Sequence, residues 1–556
     1  MKSTIHNLSG SAVVLPPTFD SLSLGAGLSV DKTYSNMPAA DLAQLVALAK
    51  AGTIDFPGNV GSGIPAGLQV TPALSYVLNG QEPSGQPDGS EVFSINDNQR
   101  RRLKKNKWGT IDQDDWTHNT DCDRGFWFQV SKQLKDGRVM VVGGLDENFN
   151  PGGDRNRFYD PATDTWSVAP SLPPEKTVCS IMGGALLKNG KLLVGGGDVL
   201  FGVPDDNGLC YLFDPKTNTW AQTGTIPETF WGNASADGGM IVLDNGNVLY
   251  LGGSDSSFVL GVYGPQSRKV YLYNTAAGTW SATGLMAENH GFGLAYALPG
   301  NKAIVIGGAT KYNAGVFDFA AVSTTYEIYD AGTFTSHPLP SVAGEDDALS
   351  APLKGGRYWA GGVATKKKIV VVGGQCFTVA DGDLADPANY VNRASIIVYD
   401  IDSGTWNTQC VPMPYPVTFP KLYVLDEDNV LIVGGYDANI GLPTARTFIY
   451  NIPNDTLTPS ADMPTVYVPE FDAYLPYSLP DENFQGGISL SNGSYLNFLG
   501  AQFDTNFSFT PGVFGDTLTP DKKRGHSRAH RSFSGGEVLA NKAKYRAKMK
   551  QALRPR

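Results

Sequence analysis

The chain has 556 residues, of which 41% are hydrophobic, and it contains 65 glycines and 36 prolines. This content excludes a wholly disordered protein, and no run of 18 or more apolar residues predicts a transmembrane helix. The net charge is −11, but residues 521–556 hold 12 Lys and Arg against two acidic residues, which is +10, so the remaining chain carries −21. An acidic body with a basic tail is predicted.

Residues 1–56 predict a small β-rich module, with alternating apolar residues in short strands and a helix over residues 41–51. Its start, Asn7-Leu8-Ser9-Gly10, and the hairpin pattern that follows resemble attachment modules of tailed-bacteriophage structural proteins. That resemblance implies other virion proteins as partners, and the alternative is an amino-terminal cap. The first residues lack an apolar core of signal-peptide length, so no signal peptide is expected. Residues 57–90 are rich in Gly and Pro and predict a linker.

A repeated pattern dominates the middle of the chain. Six β-branched runs end in a pair of glycines, and an aromatic residue followed by Asp or Asn comes later in each unit. In five units this aromatic precedes a Trp or Leu by seven residues, across a segment rich in Asp, Asn, Gly and Pro. A fixed distance across such residues predicts a hairpin. Each unit is therefore interpreted as four strands, an inner pair ending at the glycines and an outer pair holding the aromatic and the Trp.

This pattern resembles the kelch repeat, in which each unit is one blade of a β-propeller. The resemblance implies that the glycines allow a close backbone approach and that the Tyr and Trp fill the gap between neighbouring blades. The residues of this signature are Gly143, Gly144, Tyr159, Trp166, Gly195, Gly196, Trp220, Gly252, Gly253, Trp280, Gly307, Gly308, Gly373, Gly374, Trp406, Gly434 and Gly435.

The two ends of the repeat region predict how the propeller closes. Residues 485–500 resemble the inner half of a blade without the double glycine, and residues 91–111 resemble an outer half. We therefore expect an all-β, kelch-type propeller over residues 91–515 with a seventh blade made from both chain ends; six blades is the alternative. The basic run Arg100-Arg101-Arg102 is interpreted as a solvated turn.

Residues 516–556 form the basic tail, in which residues 537–553 predict a helix that could contact an anionic partner. A solvated, mostly disordered tail is the alternative. The five cysteines are scattered without metal-ligand spacing, so they are interpreted as free thiols.

No catalytic or metal-binding constellation is found, and no cofactor is expected. Galactose oxidase shares a kelch propeller and needs two His and two Tyr on copper. His118, His290 and His337 lie in different units here, and none follows a Tyr directly. If the propeller binds a ligand, kelch proteins imply the face made by the loops between strands two and three and between blades. Those loops contain the candidate residues for protein or glycan binding Asp146, Arg155, Asp205, Tyr312, Phe317, Asp381, Tyr390 and Tyr436.

These observations favour a non-enzymatic binding or structural protein, with a phage virion component as the specific expectation. The main alternative is an intracellular, cytoplasmic scaffold that docks a protein partner, and the third is a carbohydrate-active enzyme. Because propellers host both enzymes and docking platforms, fold alone does not decide between them.

Overall fold

The computed structural model describes residues 119–463 except 121, 124–128, 145–153, 177–181, 198–207, 229, 232–238, 253, 256–266, 313–318, 348, 350–352, 378–389, 440 and a few side chains. Outside that span it describes the strands given below, by backbone course alone except at residues 488–490 and 495. The described part is all-β: it contains no helix, and so none that could cross a membrane. The helices expected at residues 41–51 and 537–553 lie outside the described residues.

The chain divides into two compact units. The smaller contains Met1–Trp116, Ala445–Pro476 and Thr510–Asn541, and the larger contains Thr117–Thr444, Tyr477–Phe509 and Lys542–Arg556.

The smaller unit contains several small sheets. A six-stranded sheet is made of Gln69–Val70, Leu74–Val77, Glu91–Ser94, Gln99–Lys104, Lys107–Ile111 and Leu518–Thr519. The other pairings join Lys2–Asn7 to Ser29–Thr33 and Ile54–Asp55, Val13–Val14 to Ser23–Leu24, Thr447–Asn451 to Thr456–Pro459, and Thr465–Val468 to Ala473–Pro476.

Two predictions about residues 91–111 are wrong. Arg100–Arg102 lie inside the strand Gln99–Lys104 and not in a turn. That strand pairs with both of its sequence neighbours, Glu91–Ser94 and Lys107–Ile111, instead of joining a sheet with residues 485–500. The connections on either side are only a few residues long, and such short connections favour pairing between consecutive strands.

The larger unit is built mainly from four-stranded antiparallel sheets that follow one another along the chain. Sheet 1 is Val130–Gln133, Val139–Val142, Arg157–Asp160 and Thr165–Val168; sheet 2 is Gly183–Leu186, Leu192–Gly195, Tyr211–Asp214 and Thr219–Gln222; sheet 3 is Met240–Val242, Val248–Leu251, Lys269–Asn274 and Thr279–Leu285; sheet 4 is Leu294–Leu298, Lys302–Ile306, Thr325–Asp330 and Thr333–Pro338; sheet 5 is Gly361–Ala364, Lys368–Val372, Ile396–Asp400 and Thr405–Asn407. Hairpin 6 pairs Lys421–Val424 with Asn429–Val433. The strands of sheets 1 to 5 are ordered as the sequence predicts, an inner pair followed by an outer pair.

Sheet 7 uses strands from two distant parts of the chain. Gly487–Ser489 pairs with Tyr495–Phe498, which pairs with Asn506–Thr510, and Asp115–His118 forms the outer edge. The inner pair lies within residues 485–500 as predicted. Its outer strands are those at 506–510 and 115–118, which correct the expected range 91–111.

The outer hairpins show why their spacing is constant. In sheets 1 and 2 the turn residues Asp164 and Asn218 have φ of 51° and 57°, the left-handed conformation that Asp and Asn tolerate best after Gly. In sheet 4, Asp330 pairs with Thr333 across the two residues Ala331 and Gly332, both with positive φ. This two-residue turn explains why Tyr329 precedes Phe334 by five residues and not seven.

In sheets 1, 2, 4 and 5 and in hairpin 6, the glycines that end the second strand have a left-handed conformation. Gly373 has φ of 66°, and a Cβ there would lie 2.1 Å from the Val417 carbonyl oxygen. In sheet 2 the strand register places the equivalent pair at Gly196 and Gly197, with φ of 65° and 95°. The pair is therefore one residue later than Gly195-Gly196, because sheet 2 has a third glycine at the end of its strand.

Hydrophobic clusters fill the spaces between consecutive sheets. Phe158 of sheet 1 and Phe213 of sheet 2 belong to one cluster, and the half-buried Trp220 packs against it. The same arrangement recurs between sheets 2 and 3, 3 and 4, and 4 and 5. Leu490, beside sheet 7, lies in a cluster with Val139 and Tyr159 of sheet 1. The first strands also contact one another in series from sheet 1 to hairpin 6, and Gly487–Ser489 contacts those of both hairpin 6 and sheet 1.

Candidate functional site at the glycine end of the sheets

We call the glycine end that end of each sheet where the second strand finishes at the glycine pair. Because the first and second strands are antiparallel, the first strand begins at this same end. The segments that follow the glycines extend it as two-stranded ribbons, in which Ala309–Tyr312 pairs with Phe319–Val322 and Gln375–Phe377 pairs with Tyr390–Asn392. The loops between second and third strands, which the sequence predicts as a binding face, therefore start at the glycine end.

Three basic side chains hold the glycine pairs in place. Each lies in the segment between two consecutive sheets. Its side chain donates a hydrogen bond to the carbonyl of the first left-handed glycine in the later sheet. Lys176 Nζ lies 2.9 Å from the Gly196 oxygen, His290 Nδ1 2.7 Å from that of Gly307, and Arg357 Nη1 3.2 Å from that of Gly373. The three side chains are buried, so they support the glycine end from within.

His290 and Glu327 form a buried pair in sheet 4. His290 Nε2 lies 2.9 Å from Glu327 Oε1, and neither side chain is exposed. Glu327 also accepts hydrogen bonds from the backbone of Ala287 and Glu288. Burial disfavours the charged carboxylate, but these three donors outweigh burial and lower the pKa of Glu327 below its ordinary value. Because the Gly307 carbonyl can only accept, Nδ1 is the donor in that hydrogen bond.

A second buried charged cluster lies between sheets 4 and 5. Arg393 Nη2 donates to Asp346 Oδ1 at 2.7 Å, and its Nε donates to the Gly356 carbonyl at 3.0 Å. Glu345 accepts from the Ser395 hydroxyl at 2.6 Å and from Arg393 Nη1 at 3.3 Å. Two carboxylates and two guanidiniums, those of Arg393 and Arg357, therefore share this part of the interior.

The hydrogen bonds of this cluster decide its charge state. Burial disfavours the Asp346 carboxylate, but the bond and charge of Arg393, with the backbone amides of Val342 and Gly355, keep the pKa of Asp346 below its ordinary value. Burial lowers the pKa of Arg357 to about 9, and the charge of Arg393 adds to that effect. Asp346 and Arg357 are therefore both charged at neutral pH.

An aromatic residue in a left-handed conformation precedes the first strand at three equivalent places. Phe292, Trp359 and Phe419 each lie two residues before that strand and have φ of 52°, 56° and 55°. Phe292 is buried, whereas Trp359 and Phe419 are half-buried and their ring centroids lie 4.5 Å apart at 37°. The Phe419 amide donates to the Trp359 carbonyl at 2.8 Å. We call Trp359 and Phe419 the aromatic platform.

The aromatic platform was not among the residues predicted from the sequence. In the sequence each repeat is recognised by its glycine pair, which marks the end of the second strand. The start of the first strand carries no glycine or turn signature of its own. An aromatic two residues before the first strand, repeated in sheets 4 and 5 and in hairpin 6, is the signal that would have found it, but that signal requires the strand register.

The sequence-predicted binding residues have varied positions. Arg155 is buried in the interior of the larger unit. Tyr436 is half-buried, and its hydroxyl donates to the Gly441 carbonyl at 2.6 Å. Tyr312 and Tyr390 lie in the two-stranded ribbons described above. Asp146, Asp205, Phe317 and Asp381 lie outside the described residues.

The described residues provide no metal site. Within them no three His, Cys, Asp or Glu side chains are grouped so as to hold a metal ion. Both ring nitrogens of His290 are engaged in hydrogen bonds, and the His337 ring stacks on Tyr326 at 5.1 Å. These two histidines therefore do not fit a copper site. Among the described cysteines, Cys122, Cys210 and Cys376 are buried and Cys410 is partly exposed.

No protein-family model matches the sequence, and no curated protein is similar enough to count as a relative. Many solved structures match this chain, among them the two that follow. A structure titled YjhT has a TM-score of 0.40 and 14% identity, and the match covers 61% of this chain and 99% of that one. A fungal alcohol oxidase of the AA5 family, in complex with copper, has a TM-score of 0.49 and 14% identity, and the match covers 74% of this chain and 79% of that one.

These similarities contradict the prediction of a non-enzymatic virion or scaffold protein, because the second neighbour is an enzyme. That prediction is withdrawn. With 14% identity and TM-scores below 0.5, neither structure assigns a substrate or a catalytic residue to this chain.

Proposed function

We propose that the larger unit is a seven-bladed, kelch-type β-propeller whose last blade is sheet 7. The support is the series of contacts between first strands, which returns to sheet 1 through Gly487–Ser489. The cluster that joins Leu490 to Val139 and Tyr159 supports the same closure. A closed ring leaves no unpaired sheet edge at the ends of the repeat.

We propose further that the protein is a carbohydrate-active enzyme that binds its saccharide at the glycine end. The aromatic platform is the observation that carries this proposal. The faces of Trp359 and Phe419 carry the negative side of the ring quadrupole, and the C–H groups of a sugar ring are apolar and weakly positive. The two half-buried rings pack on each other with centroids 4.5 Å apart, so they form one aromatic unit at the glycine end.

The backbone of the aromatic platform supports a functional role. A residue other than Gly in the left-handed region costs of order 1–3 kcal/mol, and such strain clusters at ligand-binding sites. Both Trp359 and Phe419 have φ near 55°. The buried Phe292 shares this conformation, and the partial exposure of their rings distinguishes Trp359 and Phe419 as the two that can contact a ligand.

The charge of the protein favours a neutral saccharide over an acidic one. The net charge is −11, and the basic tail makes the body more acidic still. Such a body repels polyanionic chains at low and moderate ionic strength. Cleavage of a glycosidic bond needs carboxylates that give and accept protons. Among the loop residues predicted from the sequence, the carboxylates are Asp146, Asp205 and Asp381, which follow glycine pairs.

The proposal is tested by incubating the purified protein with five linear hexasaccharides, those of cellulose, starch, chitin, xylan and mannan, and analysing the products by mass spectrometry. We expect one of them to be shortened, and Trp359→Ala to reduce that turnover at least tenfold. Val168→Ala is the control, because Val168 is 72% exposed on an outer strand. No product from any of the five, with a well-folded protein, would contradict the proposal.

A further inference from the structure

The buried charged cluster touches the segment that carries the aromatic platform at several points. Gly355 donates its amide hydrogen to Asp346 Oδ2 at 3.2 Å, and Gly356 accepts from Arg393 Nε at 3.0 Å. Arg357 donates to the Gly373 carbonyl at 3.2 Å and to the Ser395 hydroxyl at 3.3 Å. The residues that precede the platform are thus held, one after another, by buried polar contacts.

The next residues are fixed to the neighbouring ribbon. Tyr358 exchanges two backbone hydrogen bonds with Gln375, and its hydroxyl donates to Gln375 Oε1 at 2.7 Å. The carbonyl of Trp359 accepts from the Phe419 amide. The segment 355–359 therefore has little freedom, and the strained conformation of Trp359 is enforced from both sides.

Arg393 is the centre of these contacts. It is fully buried and bonds to Asp346, Glu345 and the Gly356 carbonyl through three different nitrogens. A planar guanidinium fixes three acceptors in direction as well as distance, which neither a lysine nor an apolar side chain does. Burial of such a group between two carboxylates is costly and adds little net stability, so its value lies in geometry.

We propose that Arg393 is a positioning residue that sets the orientation of the aromatic platform through Asp346 and the Gly356 carbonyl. It does not contact the saccharide, since its side chain has no exposed surface. The inference rests on the proposed saccharide-binding function, because it gives the cluster its purpose. Arg393 therefore contributes to the affinity for the saccharide although it lies outside the binding surface.

The test uses the full chain with its nine tryptophans replaced by 5-fluorotryptophan. Trp359→Phe identifies the fluorine resonance of Trp359. Arg393→Lys keeps the positive charge but loses the planar guanidinium and its three directed hydrogen bonds. We therefore expect the Trp359 resonance to shift and broaden. Arg157→Lys is the matched control, because Arg157 is also buried and bonds to one carboxylate, Asp123, at 2.7 Å through Nε. It should leave that resonance unchanged.

The same samples are titrated with the hexasaccharide that the wild type binds, and we expect at least a tenfold loss of affinity in Arg393→Lys and none in Arg157→Lys. If Arg393→Lys does not fold, Glu345→Gln replaces it, since Glu345 is partly exposed and touches the same guanidinium. An unchanged Trp359 resonance and unchanged affinity in a folded variant would overturn the proposal. If the wild type binds none of the five sugars, the proposed function fails, while the resonance still decides whether Arg393 positions Trp359.

Discussion

At the scale of single residues, His290 shows why a histidine could not be interpreted from the sequence. It is one of the three histidines compared with the copper ligands of galactose oxidase, and the sequence shows only its position in the chain. The structure shows both nitrogens engaged, by the Gly307 carbonyl and by Glu327. Glu327 lies 37 residues away, so no local pattern predicts the pair.

The Glu327 carboxylate predicts a pH-dependent stability. Its folded pKa is lowered, so its contribution is present above the unfolded value of about 4.3 and is lost as the pH falls through the folded value. Glu327→Gln should cost roughly 2 kcal/mol at pH 7, since the amide has one acceptor oxygen where the carboxylate has two, and one of the three contacts is lost. Urea unfolding at several pH values measures this.

The wild type and Glu327→Gln should converge in stability as the pH falls toward 3. A difference that stays constant, or grows, below pH 4 would show that Glu327 is not ionised in the folded protein.

Replacement of Trp220 measures how much the packing between sheets 1 and 2 stabilises the fold. Its ring lies 5.2 Å from that of Phe213, and its indole N–H donates to the Pro170 carbonyl at 3.0 Å. Trp220→Ala should lower the free energy of unfolding by about 3 kcal/mol, because it opens a cavity and removes the hydrogen bond to Pro170. Val168→Ala, on the exposed outer strand of sheet 1, should cost under about 0.5 kcal/mol. Equal effects of the two changes would mean that the ring does not stabilise this interface.

At the scale of elements, the outer hairpins could be located from the sequence, whereas the residue at which each first strand begins could not. The hairpins carry their turn residues, such as Asp164 and Asn218, directly in the sequence. The first strands are short and lack a turn of their own, so the positions of Trp359 and Phe419 depend on pairing across the sheet. Strands 91–111 were misassigned because a Trp after an aromatic was interpreted as a blade signature, while local pairing decided their sheet.

The glycine pair gives a prediction that separates backbone strain from crowding. Gly137 has φ of 94° and no atom within 4 Å of its virtual Cβ, so Gly137→Ala should cost only about 1–2 kcal/mol. Gly373 has φ of 66°, and its Cβ would collide with the Val417 carbonyl at 2.1 Å. Gly373→Ala should therefore cost at least twice as much. Similar values for both, measured by urea unfolding, would show that the close approach at Gly373 relaxes easily.

At the scale of the whole molecule, an all-β protein of small sheets could be predicted because the repeat occurs six times in the sequence. It also predicted that residues 485–500 supply an inner pair. It could not predict the outer strands of sheet 7, since Asp115–His118 and Asn506–Thr510 carry neither a double glycine nor an aromatic with a Trp at the usual distance. Closure by distant strands depends on contacts that only the folded chain brings together.

The proposed closure predicts the effect of a change near the end of the repeat. Leu490 is buried in a cluster with Val139 and Val141 of sheet 1. Leu490→Ala should lower the free energy of unfolding by roughly 3 kcal/mol, in a single transition that also reports sheet 1. Ser489→Ala is the control, because Ser489 is exposed on the adjacent strand position. An effect below about 0.5 kcal/mol would contradict packing of sheet 7 against sheet 1.

The central claim is that the glycine end binds a saccharide through Trp359 and Phe419. The most direct measurement is isothermal titration of the five hexasaccharides into the wild type, Trp359→Ala, Phe419→Ala and the control Val168→Ala. The account predicts that one saccharide binds the wild type and the control equally, and that each platform variant binds it at least tenfold more weakly. Equal binding by all four proteins would place the sugar elsewhere and contradict the claim, as would binding of no saccharide by the wild type.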